Sequence, residues 1–263
     1  MTQASLPRTL TIAGSDSGGG AGIQADLKTF ERFATFGMSA LTLVTAQNTV
    51  GVTAIELLPV SLIRAQVDAV VDDLGVDATK IGALGSVEAI EAVAHLVRTR
   101  ALGPVVLDPV MISKHGVSLL AADAVSALKS ELLPHVDLIT PNLHEAEALI
   151  GAPITCLADM ERAARDLAAL GAKAVVLKAG GLRFDESTDV LYVDGHVLHL
   201  HGARLNPRAA HGTGCTFSAA ITARLAHGDP LPEAVATAKA YITRAILAAP
   251  ALGKGCPPVL HSA

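Results

Sequence analysis

Short apolar runs alternate with segments of helical spacing along almost the whole chain, and this alternation restricts the fold more than any other feature. The runs predict strands at residues 9–13, 40–46, 52–58, 79–82, 105–107, 136–140, 174–177, 190–193 and 197–200. Helical spacing predicts helices at residues 23–36, 62–74, 87–99 and 121–133, and from residues 142, 157, 214 and 232. We therefore expect an α/β fold with a mostly parallel central sheet and helices on both faces.

The composition fits a sheet that is buried on both faces. Hydrophobic residues make up 51% of the 263 residues, aromatic residues make up 3% and tryptophan is absent, so Ala, Val, Leu and Ile must form the core. Asp194-Gly195 lies between the last two strands and is typical of a tight β-hairpin. No linker, low-complexity segment or repeat interrupts the pattern, which predicts one domain over residues 1–263.

Charge and cysteine content exclude several classes of protein. With 20 Lys and Arg against 25 Asp and Glu, the net charge of −5 gives no attraction to nucleic acid or to an anionic membrane. The three cysteines (Cys156, Cys215 and Cys256) are odd in number and widely spaced, which disfavours a disulfide framework and a zinc cluster. Neither a signal peptide nor an apolar run of membrane-spanning length is visible, so we expect a cytoplasmic protein.

The segment His211-Gly212-Thr213-Gly214-Cys215-Thr216 comes directly before an Ala-rich helical pattern. Two glycines around a threonine predict a turn whose backbone amides, together with the positive end of the helix, bind an anion such as a phosphate oxygen. A thiol at a helix N-terminus ionises more easily, so Cys215 is a candidate nucleophile or base. The alternative is a glycine turn in which a buried cysteine packs as a small hydrophobic residue.

Other polar or glycine residues follow predicted strands, at the edge of a parallel sheet where ligands bind. They are Gly14, Gln47, Gly82, Asp108, Thr140 and Lys178, and we expect them to converge on one cleft. Asp108 is either a plain loop acid or a carboxylate for a metal or phosphate site. Lys178 is either a surface lysine or an ammonium for a transferring phosphoryl group.

Two motifs have both a structural and a functional interpretation. Asn142 with Glu145 three residues later forms a helix capping box, and the same pair could hold a hydrated Mg²⁺ through its waters. The glycine-rich segment 14–22 is either a flexible connector or a place where backbone approaches a small substrate. Its spacing does not fit G-x-G-x-x-G and no G-x-x-x-x-G-K-[ST] occurs, so NAD-dependent oxidoreductases and P-loop enzymes lose their main support.

Taken together, six segments resemble the hydroxymethylpyrimidine/phosphomethylpyrimidine kinases of thiamine biosynthesis, a family of the ribokinase-like superfamily. They are residues 13–26 (AGSDSGGGAGIQAD), 45–49 (TAQNT), 108–111 (DPVM), 140–142 (TPN), 145–147 (EAE) and 211–216 (HGTGCT), in the family's order. The resemblance implies a ribokinase-like fold with a small or absent lid, ATP and Mg²⁺ as cofactors, and a homodimer. The implied reaction is phosphorylation of 4-amino-5-hydroxymethyl-2-methylpyrimidine and then of its monophosphate.

The resemblance also implies how the substrate binds. Gln47 reads the pyrimidine, since an amide that both donates and accepts suits a ring nitrogen beside an amino group. Gly14, Asp26 and Val110 line the same pocket. Ala83 stands where a methionine commonly contacts the ring, so we expect a roomier pocket. A rival interpretation is therefore a pyridoxal kinase, whose substrate also carries a hydroxymethyl group on a flat nitrogen ring.

On the nucleotide side, the resemblance implies that Asn142 and Glu145 organise Mg²⁺ through water, with Asp108 and Lys178 as further nucleotide-binding residues. Gly212 to Cys215 would cradle the transferring phosphoryl group. Cys215 stands where related sugar kinases have an aspartate base, and we expect it to matter mainly when an alcohol proton must leave.

Other departures from the family pattern are Ala209-Ala210 in place of Asn-Thr, and Gly181 in place of a histidine. A glycine-containing loop at residues 112–117 could close over the phosphates. A rival of a different class is a ligand sensor that keeps the pocket without transferring phosphate. The retained lysine, Asn/Glu pair and Gly-Thr-Gly-Cys turn disfavour it, because a sensor does not need groups that serve ATP.

Overall fold

A nine-stranded sheet forms the centre of the molecule in the part of the chain that the computed structural model describes, residues 6–111, 122–179, 187–202 and 211–263. Its strands are β1 (Arg8–Asp16), β2 (Phe36–Gln47), β3 (Val52–Leu57), β4 (Ala78–Ile81), β5 (Val105–Leu107), β6 (Leu138–Ile139), β7 (Ala174–Leu177), β8 (Ser187–Val193) and β9 (His196–Gly202). Their order is β3-β2-β1-β4-β5-β6-β7-β8-β9. Six neighbouring strands, β2, β1, β4, β5, β6 and β7, run parallel to one another. β3 at one edge, and β8 and β9 at the other, pair antiparallel.

Helices cover both faces of this sheet, as the sequence predicts. Within the described ranges they are α1 (Gly22–Arg32), α2 (Val60–Asp73), α3 (Val87–Thr99), α4 (Ala122–Ala127), α5 (Leu143–Ile150), α6 (Leu157–Ala169), α7 (Thr213–Ala226) and α8 (Leu231–Leu247). Because successive side chains of a strand point to opposite faces, Val105 and Leu107 pack into the core on the α2–α6 side. Val106 between them packs with Phe217 of α7 and Tyr241 of α8. The predicted α/β class is confirmed.

Two predicted boundaries near the amino terminus are wrong. Strand β1 continues to Asp16, so Gly14 lies in the strand rather than in the loop that follows, at a register shift between Ala13 and Ser15. The first helix ends at Arg32 instead of residue 36, because Ala34 takes a positive φ of 53° that reverses the chain. Apolar spacing alone does not reveal such a turn.

The helix predicted at residues 121–133 also differs. Residue 121 lies outside the described residues, and α4 ends at Ala127. A wider π-helical turn at Leu128–Leu132 and a 3₁₀ turn at Leu133–His135 follow it. Pro134 has no amide hydrogen to continue an α-helical ladder, which explains why the regular helix stops before it.

The predicted hairpin is confirmed at the β8–β9 junction. Asp194 and Gly195 both have positive φ angles, 51° and 81°, as a type I′ turn requires. Val193 and His196 pair on either side of the turn. Within the described ranges, none of the helices combines the length and the apolar character that a bilayer crossing needs.

Candidate active site

The carboxyl ends of β5 and β7 bring two predicted site residues into contact. Lys178 follows β7, and its Nζ lies 3.0 Å from Oδ1 of Asp108, which follows β5. The hydroxyl of Thr140, at the end of β6, lies 3.4 Å from the same Asp108 oxygen. The side chain of Lys178 remains 15% exposed, whereas that of Asp108 is 3% exposed. Lys178 is therefore a slightly exposed lysine whose ammonium is paired with a buried carboxylate.

The N-terminus of α7 faces this ion pair. Gly212 caps the helix with a positive φ of 80° and without a side-chain cap. A Cβ on Gly212 would lie 1.7 Å from the carbonyl oxygen of Gly20, so only glycine fits between the two segments. A Cβ on Gly214 would lie 3.3 Å from both Oδ2 of Asp108 and Nζ of Lys178. The predicted phosphate turn, the lysine and the aspartate thus form one site.

Asn142 and Glu145 adopt the predicted capping box at the start of α5. Oδ1 of Asn142 accepts from the amide of Glu145 at 3.0 Å, and Oε2 of Glu145 accepts from the amide of Asn142 at 2.8 Å. Burial raises the pKa of Glu145 to about 7, and the charge of Asp108 adds to the rise against the opposing charge of Lys178. Burial lowers the pKa of Lys178, but Asp108 and Glu145 outweigh it and the pKa is raised.

Cys215 lies half-buried in the first turn of α7. The sequence predicts an easily ionised thiol, and this expectation is wrong for the unliganded protein. Burial raises the pKa of Cys215 to about 11, and the charges of Asp26 and Asp108 add to the rise. Lys80 and the amide of Gly22 counteract this effect without reversing it. Desolvation of the thiolate is stronger here than the attraction of the helix end.

Asp26 occupies a different environment from the pocket wall that the family resemblance implies. It is fully buried on α1, where Oδ1 lies 2.6 Å from Nζ of Lys80 and Oδ2 accepts from the hydroxyl of Thr11 at 2.7 Å. Lys80 is also fully buried, and burial lowers its pKa less than Asp26, Cys215 and Asp108 raise it. Lys80 was not among the predicted site residues, although a lysine inside a short predicted strand was a signal.

The glycine-rich segment is organised by Asp16, a second residue whose role the sequence analysis missed. Its carboxylate accepts from the amides of Gly18, Gly20 and Ala21 at 2.8, 3.1 and 2.8 Å. It also contacts Nε2 of His211 at 2.8 Å. The segment is therefore a fixed turn rather than a flexible connector. An aspartate two residues before a run of glycines was the available signal, because Asp side chains often accept from backbone amides in such turns.

Of the residues predicted for the substrate side, Gln47 and Ala83 lie at or just after strand ends, Gly14 lies within β1 and Val110 lies beyond β5, and their surroundings differ. Gln47 is half-buried, with Nε2 3.4 Å from Nε2 of His211. A Cβ on Gly14 would lie 2.6 Å from Cδ1 of Leu43, so Gly14 provides room for that leucine. Ala83 and Val110 are half-buried; the Ala83 carbonyl accepts from Thr42, and the Val110 amide donates to the Asp108 carbonyl at 2.8 Å.

Gly82, at the end of β4, lies beside the buried lysine. A Cβ on Gly82 would be 3.5 Å from Nζ of Lys80 and 2.9 Å from the Cβ of Ala13. Residues 112–117, Gly181, Ala209 and Ala210 lie outside the described residues. Among the predicted residues, the structure therefore places Lys178 and Thr140 in contact with Asp108, and the turn at Gly214 beside that ion pair. Glu145 and Cys215 lie close enough for the charge of Asp108 to raise the pKa of each.

Comparison with known proteins supports the resemblance to phosphomethylpyrimidine kinases over almost the whole chain. The family model described as phosphomethylpyrimidine kinase matches residues 16–260. A hydroxymethylpyrimidine/phosphomethylpyrimidine kinase of Haemophilus influenzae is 50% identical, with 97% of each chain covered. Among solved structures, an ADP complex of Bacillus subtilis pyridoxal kinase has a TM-score of 0.91 at 41% identity, covering 98% of both chains. A phosphomethylpyrimidine kinase of Clostridium difficile has a TM-score of 0.82 at 43% identity, covering 92% of this chain and 100% of that one.

The buried Lys80–Asp26 pair gives a stability prediction. Lys80→Met leaves Asp26 buried without its counter-charge, so we expect urea unfolding to show a loss of about 3–5 kcal/mol. Lys80→Met combined with Asp26→Leu removes both charges and should recover most of that loss. Lys173→Met is the control, because its ion pair with Asp137 is exposed and should contribute at most about 1 kcal/mol. Equal losses in the single and double variants would show that packing, not charge, is responsible.

Proposed function

The chain belongs to the phosphomethylpyrimidine kinase family, and from this premise we propose that it transfers phosphate from ATP to 4-amino-5-hydroxymethyl-2-methylpyrimidine and then to the monophosphate. The observation that carries the proposal is the turn at the start of α7, which faces Lys178 and Asp108 across the Cα of Gly214. Backbone amides at a helix end and an ammonium group at the same point suit a transferring phosphoryl group.

The role proposed for each group follows from the chemistry of phosphoryl transfer. The transition state is loose, so alignment and neutralisation of charge matter more than a strong base. We assign the amides from Gly212 to Cys215 to the transferring phosphoryl oxygens and Lys178 to the charge that builds up on them. Asp108 keeps the ammonium in place through the 3.0 Å contact. The turn amides, Lys178 and Asp108 are positioned before the substrates arrive, which reduces the reorganisation that the reaction requires.

Mg²⁺ is part of the proposal, held by the phosphates of ATP with its waters on Asn142 and Glu145. In the part of the chain that the structure describes, no group of three or more His, Cys, Asp or Glu side chains could ligate a metal directly. Oε2 of Glu145 is engaged in the capping box, which also favours contact through water. The raised pKa of Glu145 beside Asp108 marks a place where a divalent cation would stabilise negative charge. The ion would neutralise the phosphates of ATP.

The pyrimidine is the preferred substrate in this proposal because Gln47 offers both a donor and an acceptor to an aminopyrimidine edge. Gly14, Val110 and Ala83 are assigned to the surroundings of the ring. Asp26 is assigned an indirect role, through its buried ion pair with Lys80. The rival substrate is pyridoxal, supported by the likeness to Bacillus subtilis pyridoxal kinase and by the small side chain of Ala83. None of the three cysteines, all of which lie within the described residues, forms a disulfide, and together with the use of ATP this supports a cytoplasmic location.

We also propose a homodimer that forms through β3 and the adjoining end of β2. β3 is an edge strand, and its residues from Thr53 to Leu57 are exposed. Large apolar side chains lie on or beside it, with Leu57 at 46% and Val44 at 40% exposure. An apolar surface on an unpaired edge strand fits a second copy of the chain better than it fits water.

The function is tested by incubating the purified protein with ATP, Mg²⁺ and hydroxymethylpyrimidine, with pyridoxal in a parallel reaction, and following products by mass spectrometry. We expect both the monophosphate and the diphosphate of the pyrimidine and a lower kcat/KM for pyridoxal. An equal or higher kcat/KM for pyridoxal would assign the protein to vitamin B6 salvage. No product from either substrate would favour a ligand sensor instead.

The role of Cys215 differs between the two steps in this proposal. The alcohol must lose a proton in the first step, whereas the acceptor of the second step is already an anion. We therefore expect Cys215→Ala to lower the first rate about 10²-fold or more and the second much less, as separate single-turnover assays would show. Equal losses would contradict this role.

A pH profile provides a second readout of the same role. With a pKa of about 11, the thiolate fraction of Cys215 rises with pH throughout the range from 7 to 9. A base role therefore predicts that kcat/KM of the first step rises over this range in the natural protein and stays flat in Cys215→Ala. A rise that persists in the variant would assign the proton transfer to another group.

The dimer is tested by sedimentation equilibrium of the natural protein and Leu57→Glu. We expect about twice the monomer mass of 26.8 kDa for the natural protein and the monomer mass for the variant, because a buried carboxylate at the interface is unfavourable. Leu247→Glu, at an exposed position on α8, is the matched control and should remain a dimer. A monomeric natural protein would contradict the proposal.

A further inference from the structure

Asp16 and His211 form a buried pair at the meeting point of several segments of the site. Oδ2 of Asp16 lies 2.8 Å from Nε2 of His211, and the two side chains are only 3% and 6% exposed. Burial by itself raises the pKa of Asp16. The contact with His211 and the hydrogen bonds from the amides of Ala21 and Gly18 lower it by more, so the net effect is a lowered pKa. An ionised Asp16 carboxylate therefore faces the imidazole.

The imidazole has little freedom to move. A Cβ on Gly20 would lie 2.5 Å from Cδ2 of His211, so the ring packs directly on the glycine-rich segment. The His211 amide donates to the Pro257 carbonyl at 3.4 Å, and the His211 carbonyl accepts from the Val259 amide at 3.3 Å. The next residue is Gly212, where the phosphate turn begins. His211 thus joins the glycine-rich segment, the carboxyl-terminal segment and α7.

The end of β2, at Gln47, also meets His211 and the glycine-rich segment. The main-chain amide of Gln47 donates to the hydroxyl of Ser17 at 2.8 Å, and its carbonyl accepts from the same hydroxyl at 2.7 Å. One end of its side-chain amide lies 3.4 Å from Nε2 of His211, and the other end lies 3.2 Å from the hydroxyl of Thr45. Backbone and side chain are therefore both tied to the turn that Asp16 organises.

Hydrogen-bond partners determine which way such an amide faces, because its oxygen and nitrogen have nearly the same shape. The proton on Nε2 of His211 is directed to Asp16, and the Thr45 hydroxyl donates to the Ser15 carbonyl at 2.9 Å. Once protonated, Nε2 has no lone pair left to accept from the Gln47 NH₂ group, and its single proton, held by Asp16 at 2.8 Å, can be shared only weakly with an acceptor at 3.4 Å. A hydroxyl that has given its proton favours a donor. Both demands are met when the Gln47 carbonyl faces His211 and the NH₂ group faces Thr45.

We propose that His211, held by Asp16, is a positioning residue that fixes the Gln47 amide for substrate recognition. The inference rests on the proposed function, in which Gln47 reads the pyrimidine ring. His211 acts through Gln47 and does not need to touch the reacting atoms.

The test is a double-mutant cycle with His211→Phe and Gln47→Ala, measured as KM for hydroxymethylpyrimidine. His211→Phe keeps a ring and removes its nitrogens, and we expect KM to rise about tenfold, as for one lost hydrogen bond. KM for ATP and kcat should stay within about threefold of the natural values, since the phosphate groups are untouched. The double variant should be no worse than Gln47→Ala alone. Additive effects, or an equal rise in KM for ATP, would overturn the proposal.

A readout without substrate separates this proposal from the proposed function. The side-chain NH₂ resonances of Gln47, identified by their loss in Gln47→Ala, report how firmly the amide is held. We expect faster solvent exchange of these protons in His211→Phe than in the natural protein, and no change in His196→Phe, an exposed control on β9. Unchanged exchange in His211→Phe would overturn the positioning role. Should the natural protein phosphorylate no pyrimidine, the function fails while this measurement still decides the role of His211.

Discussion

The close approach of the first turn of α7 to the glycine-rich segment is the contact on which the rest of the site depends. Gly212 passes so near the Gly20 carbonyl that no Cβ fits between them, and its left-handed backbone starts the helix at that point. This placement brings the helix amides to Lys178 and sets His211 against Asp16. A shift of the turn would therefore have two effects at once. It would move the phosphate-binding amides away from Lys178, and it would move His211 away from Asp16.

Buried charges of both signs determine the electrostatics around this contact. Lys80 and Asp26 are fully buried behind the turn, while Lys178 and Asp108 lie in front of it. An isolated charge in either place would be strongly unfavourable, so each cation is paired with a carboxylate at 3.0 Å or less. The arrangement keeps a positive group next to the helix end without an unpaired buried charge. Burial is the main reason why the pKa of Cys215 is raised, and the charges of Asp26 and Asp108 add to it against the opposing charge of Lys80.

Local sequence patterns predicted those features that depend on neighbouring residues. The hairpin at Asp194-Gly195 and the capping box of Asn142 and Glu145 involve groups at most three residues apart, and both are present as predicted. The ionisation of Cys215 was predicted from the helix end alone and was wrong, because desolvation comes from residues far along the chain. The pocket role of Asp26 was implied by the family resemblance and not by a local pattern, and no local pattern shows its ion pair with Lys80, which is 54 positions away.

The sequence by itself determined the α/β class, the order of the elements and the set of strand ends at which polar residues collect. Hydrophobic periodicity and turn chemistry depend on residues that are close together along the chain, so the sequence alone is enough to predict them. Only the tertiary structure decided which of those residues meet. The Lys178–Asp108 pair spans 70 positions and exists because the parallel strands β5 and β7 end at the same edge of the sheet. The Asp16–His211 pair spans 195 positions and exists because the turn before α7 packs on the glycine-rich segment. Distance in space, burial and the sign of nearby charge follow from that packing and not from any local pattern.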